Sequence, residues 1–196
     1  FHVTLDDVFD AVKAFRRLDD VTPIVMMGYL NLIEVAGYAA FAARAAEAGI
    51  DGVITVDMPP EEAEDYVSAL EAEGLDPVFL VAPTSTDERI DRIGAVASGF
   101  VYYVSLKGVT GAGNLSLDSV REKLAEIREC TDLPVGVGFG IKDAETAAAM
   151  GKVADAVVVG SAIVSRVEKY ADNPAMIHET IGELLQGMRA ALDAHS

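Results

Sequence analysis

The sequence has 196 residues, of which 51% are hydrophobic, and a formal net charge of −17 at pH 7. A chain of this size and composition is predicted to form one globular domain over residues 1–196, and its acidity argues against nucleic acid or an acidic membrane as a partner. Because it shows neither a long apolar run nor a signal-peptide pattern, we expect a cytoplasmic protein, and its single cysteine, Cys130, cannot build an intrachain disulfide.

The first predicted element is an amphipathic helix that begins after Thr4, a residue type that caps helices. Five apolar residues share one face of this helix, namely Leu5, Val8, Phe9, Val12 and Phe15. No strand pattern precedes this helix. The sequence is therefore expected to enter a strand–helix repeat partway through one unit.

Six short β-rich runs follow. They begin at Ile24, Val53, Val78, Val101, Val135 and Val157. Each run is continuously apolar, which is typical of parallel strands that are buried on both faces. The spacing of the runs leaves room for a crossover helix between consecutive strands.

The helices between the strands have readable ends. Asn31 is predicted to cap a helix that stops at Gly49, and Pro59 with Pro60 opens another that ends near Gly74. Alternating strands and helices predict either an open doubly wound sheet or a (β/α)8 TIM barrel. A barrel needs eight strands, so this sequence would carry about six βα units of an N-terminally incomplete barrel domain.

Glycines are concentrated in three of the loops that follow strands. One loop contains Gly108, Gly111 and Gly113, the next contains Gly138 and Gly140, and the last has Gly160 followed by Ser161. Parallel α/β proteins bind ligands at this end of their strands, and exposed N–H groups at a helix N-terminus suit a phosphate. The alternative is that these glycines only permit tight turns.

Other polar residues give weaker signals. Asp57 ends a strand and is either a general base or an organiser of the turn that follows. Lys107 is the only base in the long glycine loop and either steers a phosphate or is simply solvated. The three histidines, His2, His178 and His195, lie away from the strand ends, and no spacing predicts a metal site.

Taken together, the segments PIVMMGYLN, DGVITVDMP, FVYYVSLKGVTGAGN, PVGVGFGI and ADAVVVGSAIV resemble the tryptophan synthase alpha chain family. The resemblance implies a (β/α)8 barrel of which these are strands three to eight. It also implies cleavage of indole-3-glycerol phosphate to indole and glyceraldehyde 3-phosphate without a cofactor. The partner it implies is a beta chain, which carries pyridoxal phosphate, in an α2β2 complex.

The same resemblance assigns roles to residues of the glycine loops. The implied phosphate ligands are Gly111, Gly138, Gly140, Gly160 and Ser161. Phe139 would border the indole pocket, Tyr102 would face the substrate, and Thr110 would lie on a loop that closes over the site. The family's two catalytic carboxylates match no residue here, so no catalytic residue is assigned in this chain and we expect it to be inactive alone.

Two other functions fit the same sequence pattern. Indole-glycerol-phosphate synthase is a related phosphate-binding barrel, but it would need lysines at strand ends, where only Lys107 is available. The second alternative function is that of a non-catalytic barrel subunit, which binds a phosphorylated ligand and regulates a partner. Residues 57–60, DMPP, resemble a family segment that faces the beta chain, although the same residues would also suit a simple helix-starting turn.

Overall fold

The computed structural model describes residues 3–104, 117–138 and 140–194. Strands and helices alternate along these residues. Their bounds are α1 (Leu5–Arg16), β1 (Val25–Gly28), α2 (Leu30–Ala36), α3 (Tyr38–Ala48), β2 (Gly52–Thr55), a 3-10 turn (Pro60–Glu62), α4 (Glu64–Ala72), β3 (Asp76–Val81), α5 (Asp87–Val96), β4 (Val101–Val104), α6 (Leu117–Cys130), β5 (Val135–Gly138), α7 (Ala144–Gly151), β6 (Ala156–Val157), α8 (Ser161–Lys169) and α9 (Pro174–Asp193). All six predicted strands are confirmed to within two residues at their starts.

The described residues form two compact units. The first extends to Leu80 and includes Glu88–Val101, and the second contains Val81–Asp87 and the described residues from Tyr102 onward. The organisation of residues 1–196 as a single domain stays a prediction. No helix in the described ranges is both long and apolar enough to cross a membrane.

In the first unit β1, β2 and β3 lie side by side and parallel. Val25 is opposite Gly52, and Gly52 is opposite Asp76. All four residues of β2 are buried, as expected for a central strand. β1 is only half-buried, contrary to the prediction for every strand, because in the described part of the chain it pairs with β2 alone.

The N-terminal helix forms as predicted and packs on α3. The Thr4 hydroxyl accepts the Asp7 N–H, and the Asp7 carboxylate accepts the Thr4 N–H at 2.8 Å, so both ends of a capping box are made. Phe9 is buried on the apolar face, and its ring centroid lies 6.2 Å from that of Phe41 on α3. This contact holds the helix against the layer that covers the strands.

The predicted single helix from Asn31 to Gly49 is wrong. The chain forms two helices that meet at Gly37, which has φ 81° and ψ 135°. A backbone in that conformation cannot continue an α-helix, and it is one that residues with a Cβ rarely adopt. The predicted end is confirmed, because Gly49 closes α3 in the left-handed conformation at φ 94°.

In the second unit β5 and β6 are parallel neighbours, with Val137 opposite Val157. β6 has only two residues, and Val157 to Val159 are half-buried, so the predicted fully buried strand is wrong. Among the described residues β6 pairs with β5 only, so its other edge has no strand partner there. The C-terminal helix α9 packs on α7, where Gly151 leaves room for the Leu192 side chain.

Candidate functional site

Tyr102 and Gly138 are in contact in the second unit, where Gly138 is the last residue of β5. Tyr102 lies on β4, and its hydroxyl oxygen is 2.2 Å from the position that a Cβ on Gly138 would take. The ring therefore occupies the space that a side chain at residue 138 would need. Burial of the half-buried Tyr102 raises the pKa of its phenol, so the neutral form is favoured as a hydrogen-bond donor.

The backbone after β5 turns at Gly140, which has φ 55° and no described atom within 4 Å of its Cβ position. Residue 140 therefore needs glycine for its conformation and also leaves open space beside it. The chain then buries Ile141 and starts α7, whose first turn is capped by the Asp143 carboxylate at 2.9 Å from the Thr146 nitrogen.

Gly160 and Ser161 are exposed at the N-terminus of α8. Gly160 has φ −119°, and no described atom lies within 4 Å of its Cβ position. Neither its own conformation nor a described neighbour therefore requires a glycine there. No described side chain caps α8. The Ile163 nitrogen already donates to the Gly160 carbonyl at 2.9 Å, so the N–H groups that this helix start can offer to an anion are those of Ser161 and Ala162.

The register of β5 and β6 brings these two loops to the same edge of the sheet. The Val158 nitrogen donates to the Val137 carbonyl at 2.8 Å, just before the chain reaches the Gly138 and Gly160 loops. Carboxyl ends of neighbouring parallel strands open on one side. The predicted convergence of the Gly138–Gly140 and Gly160–Ser161 loops is thus supported by strand pairing.

Several predicted site residues lie outside the described residues. They are Lys107, Gly108, Thr110, Gly111, Gly113 and Phe139. Of the remaining candidates, Tyr102 and Gly138 are brought into contact, and Gly140, Gly160 and Ser161 follow the neighbouring strands.

Asp57 has a contact that the sequence did not indicate. Its carboxylate accepts the Leu30 N–H at 2.7 Å, so it holds the start of α2, 27 residues earlier in the chain. Pro60 is buried as the first residue of the 3-10 turn, and α4 begins only at Glu64. The prolines therefore start a short turn that precedes the helix, and the predicted helix start at the prolines is wrong. Tyr29 and Leu32, beside Leu30, are 60% and 48% exposed.

A buried pair of hydroxyl groups lies just before Asp57. Thr55, the last residue of β2, and Tyr66 on α4 are 3% and 2% exposed, and their oxygens are 2.7 Å apart. Burial raises the pKa of Tyr66 to about 12. Sequence analysis missed this pair because Thr55 looked like any other strand-forming residue.

Metal ligands do not cluster in the described ranges, where no group of three histidine, cysteine, aspartate or glutamate residues could hold an ion. His178 is exposed on α9, and His2 and His195 lie outside the described residues. Cys130 is half-buried at the end of α6.

Comparison with known proteins identifies the family. Residues 2–193 match the family model for the tryptophan synthase alpha chain. The alpha chain of Thioalkalivibrio sulfidiphilus is 58% identical over 192 residues, which are 98% of this chain and 72% of that protein. The alpha chain of Methylococcus capsulatus is 56% identical over 193 residues, with the same shares of both chains.

Solved structures give the same answer. The alpha chain of Legionella pneumophila superposes with a TM-score of 0.88 at 39% identity, over 97% of this chain and 70% of that one. A Pyrococcus furiosus chain, from a structure of the tryptophan synthase a2b2 complex, gives 0.86 at 34% identity, over 96% and 75% of the two chains.

These matches confirm the (β/α)8 barrel fold, of which this chain carries about six βα units. They do not favour indole-glycerol-phosphate synthase or a non-catalytic regulatory subunit. The chain belongs to the tryptophan synthase alpha chain family, whose members are lyases of tryptophan biosynthesis.

Proposed function

We propose that this chain supplies the phosphate-binding half of a site that cleaves indole-3-glycerol phosphate to indole and glyceraldehyde 3-phosphate. The observation that carries the proposal is the open space at Gly160, where neither the conformation nor a described neighbour excludes a side chain. A ligand that approaches the backbone at this point gives a reason for glycine. Membership of the alpha chain family supports the identity of that ligand.

The phosphate would be bound by backbone N–H groups at the start of α8 and by the Ser161 hydroxyl. A helix N-terminus carries partial positive charge, so it attracts an anion without lysine or arginine. Such a local attraction is needed in a chain whose net charge of −17 repels anions. Gly138 and Gly140 would add backbone at the neighbouring strand end, and Gly111 would complete the phosphate site.

The indole half of the substrate would lie near Tyr102. Because the Tyr102 ring is placed against Gly138, its hydroxyl is fixed close to the proposed phosphate loops. Phe139 would border the indole, and Thr110 would belong to the loop that closes over the substrate.

The reaction itself needs groups that we do not find in this sequence. An acid must protonate C3 of the indole while the bond to the glycerol carbon breaks, and a base must take the proton of the adjacent hydroxyl as the aldehyde forms. A carboxylate that accepts the indole N–H would stabilise the positive charge on the ring. Asp57 is unsuited to these roles because its carboxylate is bound to the start of α2. We therefore assign the catalytic carboxylates to the part of the relatives that this chain does not match.

The chain would use no cofactor, and its partner would be a pyridoxal-phosphate-dependent beta chain in an α2β2 complex. The a2b2 complex of the Pyrococcus furiosus relative supports this partner. The docking surface would contain the DMPP segment, where Asp57 is exposed, and the neighbouring exposed side chains of Tyr29 and Leu32. Consecutive prolines make the segment rigid, which lowers the entropy cost of docking.

Calorimetric titration with glycerol 3-phosphate tests the phosphate site. The wild type should bind, and Gly160→Val should abolish binding because the added side chain fills the space beside the amides. Gly182→Val is the matched control, since Gly182 on α9 also has no described atom within 4 Å of its Cβ position. Equal binding by the wild type and Gly160→Val would overturn the proposal.

A further inference from the structure

The hydroxyl pair of Thr55 and Tyr66 lies in a position that the proposed reaction does not use. Both side chains are almost fully buried and their oxygens are 2.7 Å apart. A buried hydroxyl without a partner is costly, so each of these two groups requires the other. The pair therefore fixes the end of β2 against α4.

Tyr66 is itself held by its surroundings. Its ring meets the Tyr38 ring edge to face, with centroids 5.8 Å apart and an interplanar angle of 76°. Tyr38 is the first residue of α3, so the hydroxyl of Tyr66 projects from a packed contact between α3 and α4. This makes Tyr66 a fixed point for the strand end.

Thr55 lies directly before the proposed docking segment. It is opposite Gly28 in the register of β1 and β2, and the next nitrogen, that of Val56, donates to the Gly28 carbonyl at 2.9 Å. Asp57 follows and accepts the Leu30 N–H at 2.7 Å. Because only Val56 separates Thr55 from Asp57, a displacement of Thr55 would also displace the Asp57 carboxylate that holds the start of α2.

We propose that Thr55 and Tyr66 are positioning residues that hold Asp57 against the start of α2 and so preset the surface that binds the beta chain. The choice of partner rests on the proposed function. The positioning itself rests only on the contacts described above, so the two parts can be tested separately.

Three variants separate an effect on the position of Asp57 from an effect on the stability of the folded chain. Thr55→Val and Tyr66→Phe each leave one buried hydroxyl unpaired, whereas the double variant leaves none and should regain most of the lost stability. Tyr38→Phe is the control, because in the described part of the chain the one hydrogen bond of the Tyr38 hydroxyl is long, 3.4 Å, to Glu34. The wild-type sequence is the background for all of them.

The first measurement is hydrogen exchange of the Leu30 amide relative to the Asp76 amide, which bonds to the Asp51 carbonyl at the other end of the strands. Each single variant and the double variant should raise the exchange rate of Leu30 about fivefold or more relative to Asp76. Tyr38→Phe should leave the ratio unchanged. A double variant with wild-type protection at Leu30 would overturn the positioning role.

The second measurement is calorimetric titration with a purified tryptophan synthase beta chain. The double variant should bind about fivefold or more weakly than the wild type although its stability is regained. Equal affinities would overturn the docking role of the pair. Absence of binding by the wild type would overturn the proposed partner, and with it the docking role, while the Leu30 exchange would still decide the positioning of Asp57.

Discussion

The Tyr102 hydroxyl lies where a side chain at Gly138 would begin. A Cβ at residue 138 would be 2.2 Å from that oxygen and 2.6 Å from the nearest ring carbon. Glycine at residue 138 is therefore a requirement of the tyrosine on the neighbouring strand. Two residues of the proposed substrate site are thus coupled, because a side chain added at residue 138 would displace the Tyr102 ring.

Gly138→Ala is expected to displace the Tyr102 ring and weaken substrate binding. Overpacking of this kind costs about 1–3 kcal/mol of unfolding free energy, although the half-buried ring has room to move and so the lower end is expected. Combining Gly138→Ala with Tyr102→Ala should remove the clash. Urea unfolding of the two single variants and the double variant measures the coupling, and strictly additive effects would contradict the contact.

Stability should fall at high pH because of Tyr66. Burial raises the pKa of its phenol from 10.0 to about 12 in the folded chain. The unfolded chain loses this proton first as pH rises, so the contribution of the neutral phenol is complete below pH 10 and is lost progressively up to pH 12. The free energy of unfolding would fall by about 2–3 kcal/mol over this pH range, since each unit of difference in pKa between the folded and unfolded chain is worth about 1.4 kcal/mol.

Tyr66→Phe is the comparison for this pH dependence. It cannot ionise, so its unfolding free energy should fall less steeply than that of the wild type from about pH 10 to about pH 12. Urea unfolding at a series of pH values gives both curves. Parallel curves would show that Tyr66 ionises alike in the folded and unfolded chains.

Gly151→Ala should shift the end of the Leu192 side chain at little cost in stability. A Cβ on Gly151 would lie 2.3 Å from a terminal carbon of Leu192, but that carbon ends a flexible side chain that can move aside. Alanine also favours a helix over glycine by about 1 kcal/mol. The free energy of unfolding, measured in urea, should therefore change by less than about 1 kcal/mol. Gly182→Ala on α9 is the control. It should not destabilise, because no described atom is within 4 Å of that position.

Local patterns in the sequence predicted the elements better than the contacts between them. The cap at Thr4 and the end of α3 at Gly49 depend on residues within one helical turn, and both are confirmed. The break at Gly37 was missed because the apolar pattern of the helix continues across it. A glycine within such a pattern does not reveal its φ angle in advance.

The contacts that build the site join residues far apart in the chain. Asp57 looked like the start of the following turn, and its bond to Leu30 depends on the pairing of β1 with β2. The match of Thr55 with Tyr66 depends in the same way on how α4 packs. Periodicity indicates which face of an element is buried but not which residue it meets. The family resemblance supplied the site residues that local patterns left open.

The 196-residue chain should bind glycerol 3-phosphate and yet show no cleavage of indole-3-glycerol phosphate. The loops after β5 and β6 offer backbone donors, whereas the catalytic carboxylates are proposed above to lie in the part of the relatives that this chain does not match. General acid–base assistance alone is commonly worth about 10² to 10⁴ in rate, so its absence should bring turnover below detection.

Joining the unmatched part of the Thioalkalivibrio sulfidiphilus alpha chain, 58% identical over the matched residues, should restore activity. In the joined protein Gly160→Val should abolish that activity while Gly182→Val preserves it. Release of indole, followed by absorbance with and without the added segment, measures both effects, and clear turnover by the 196 residues alone would contradict the division of the site proposed above.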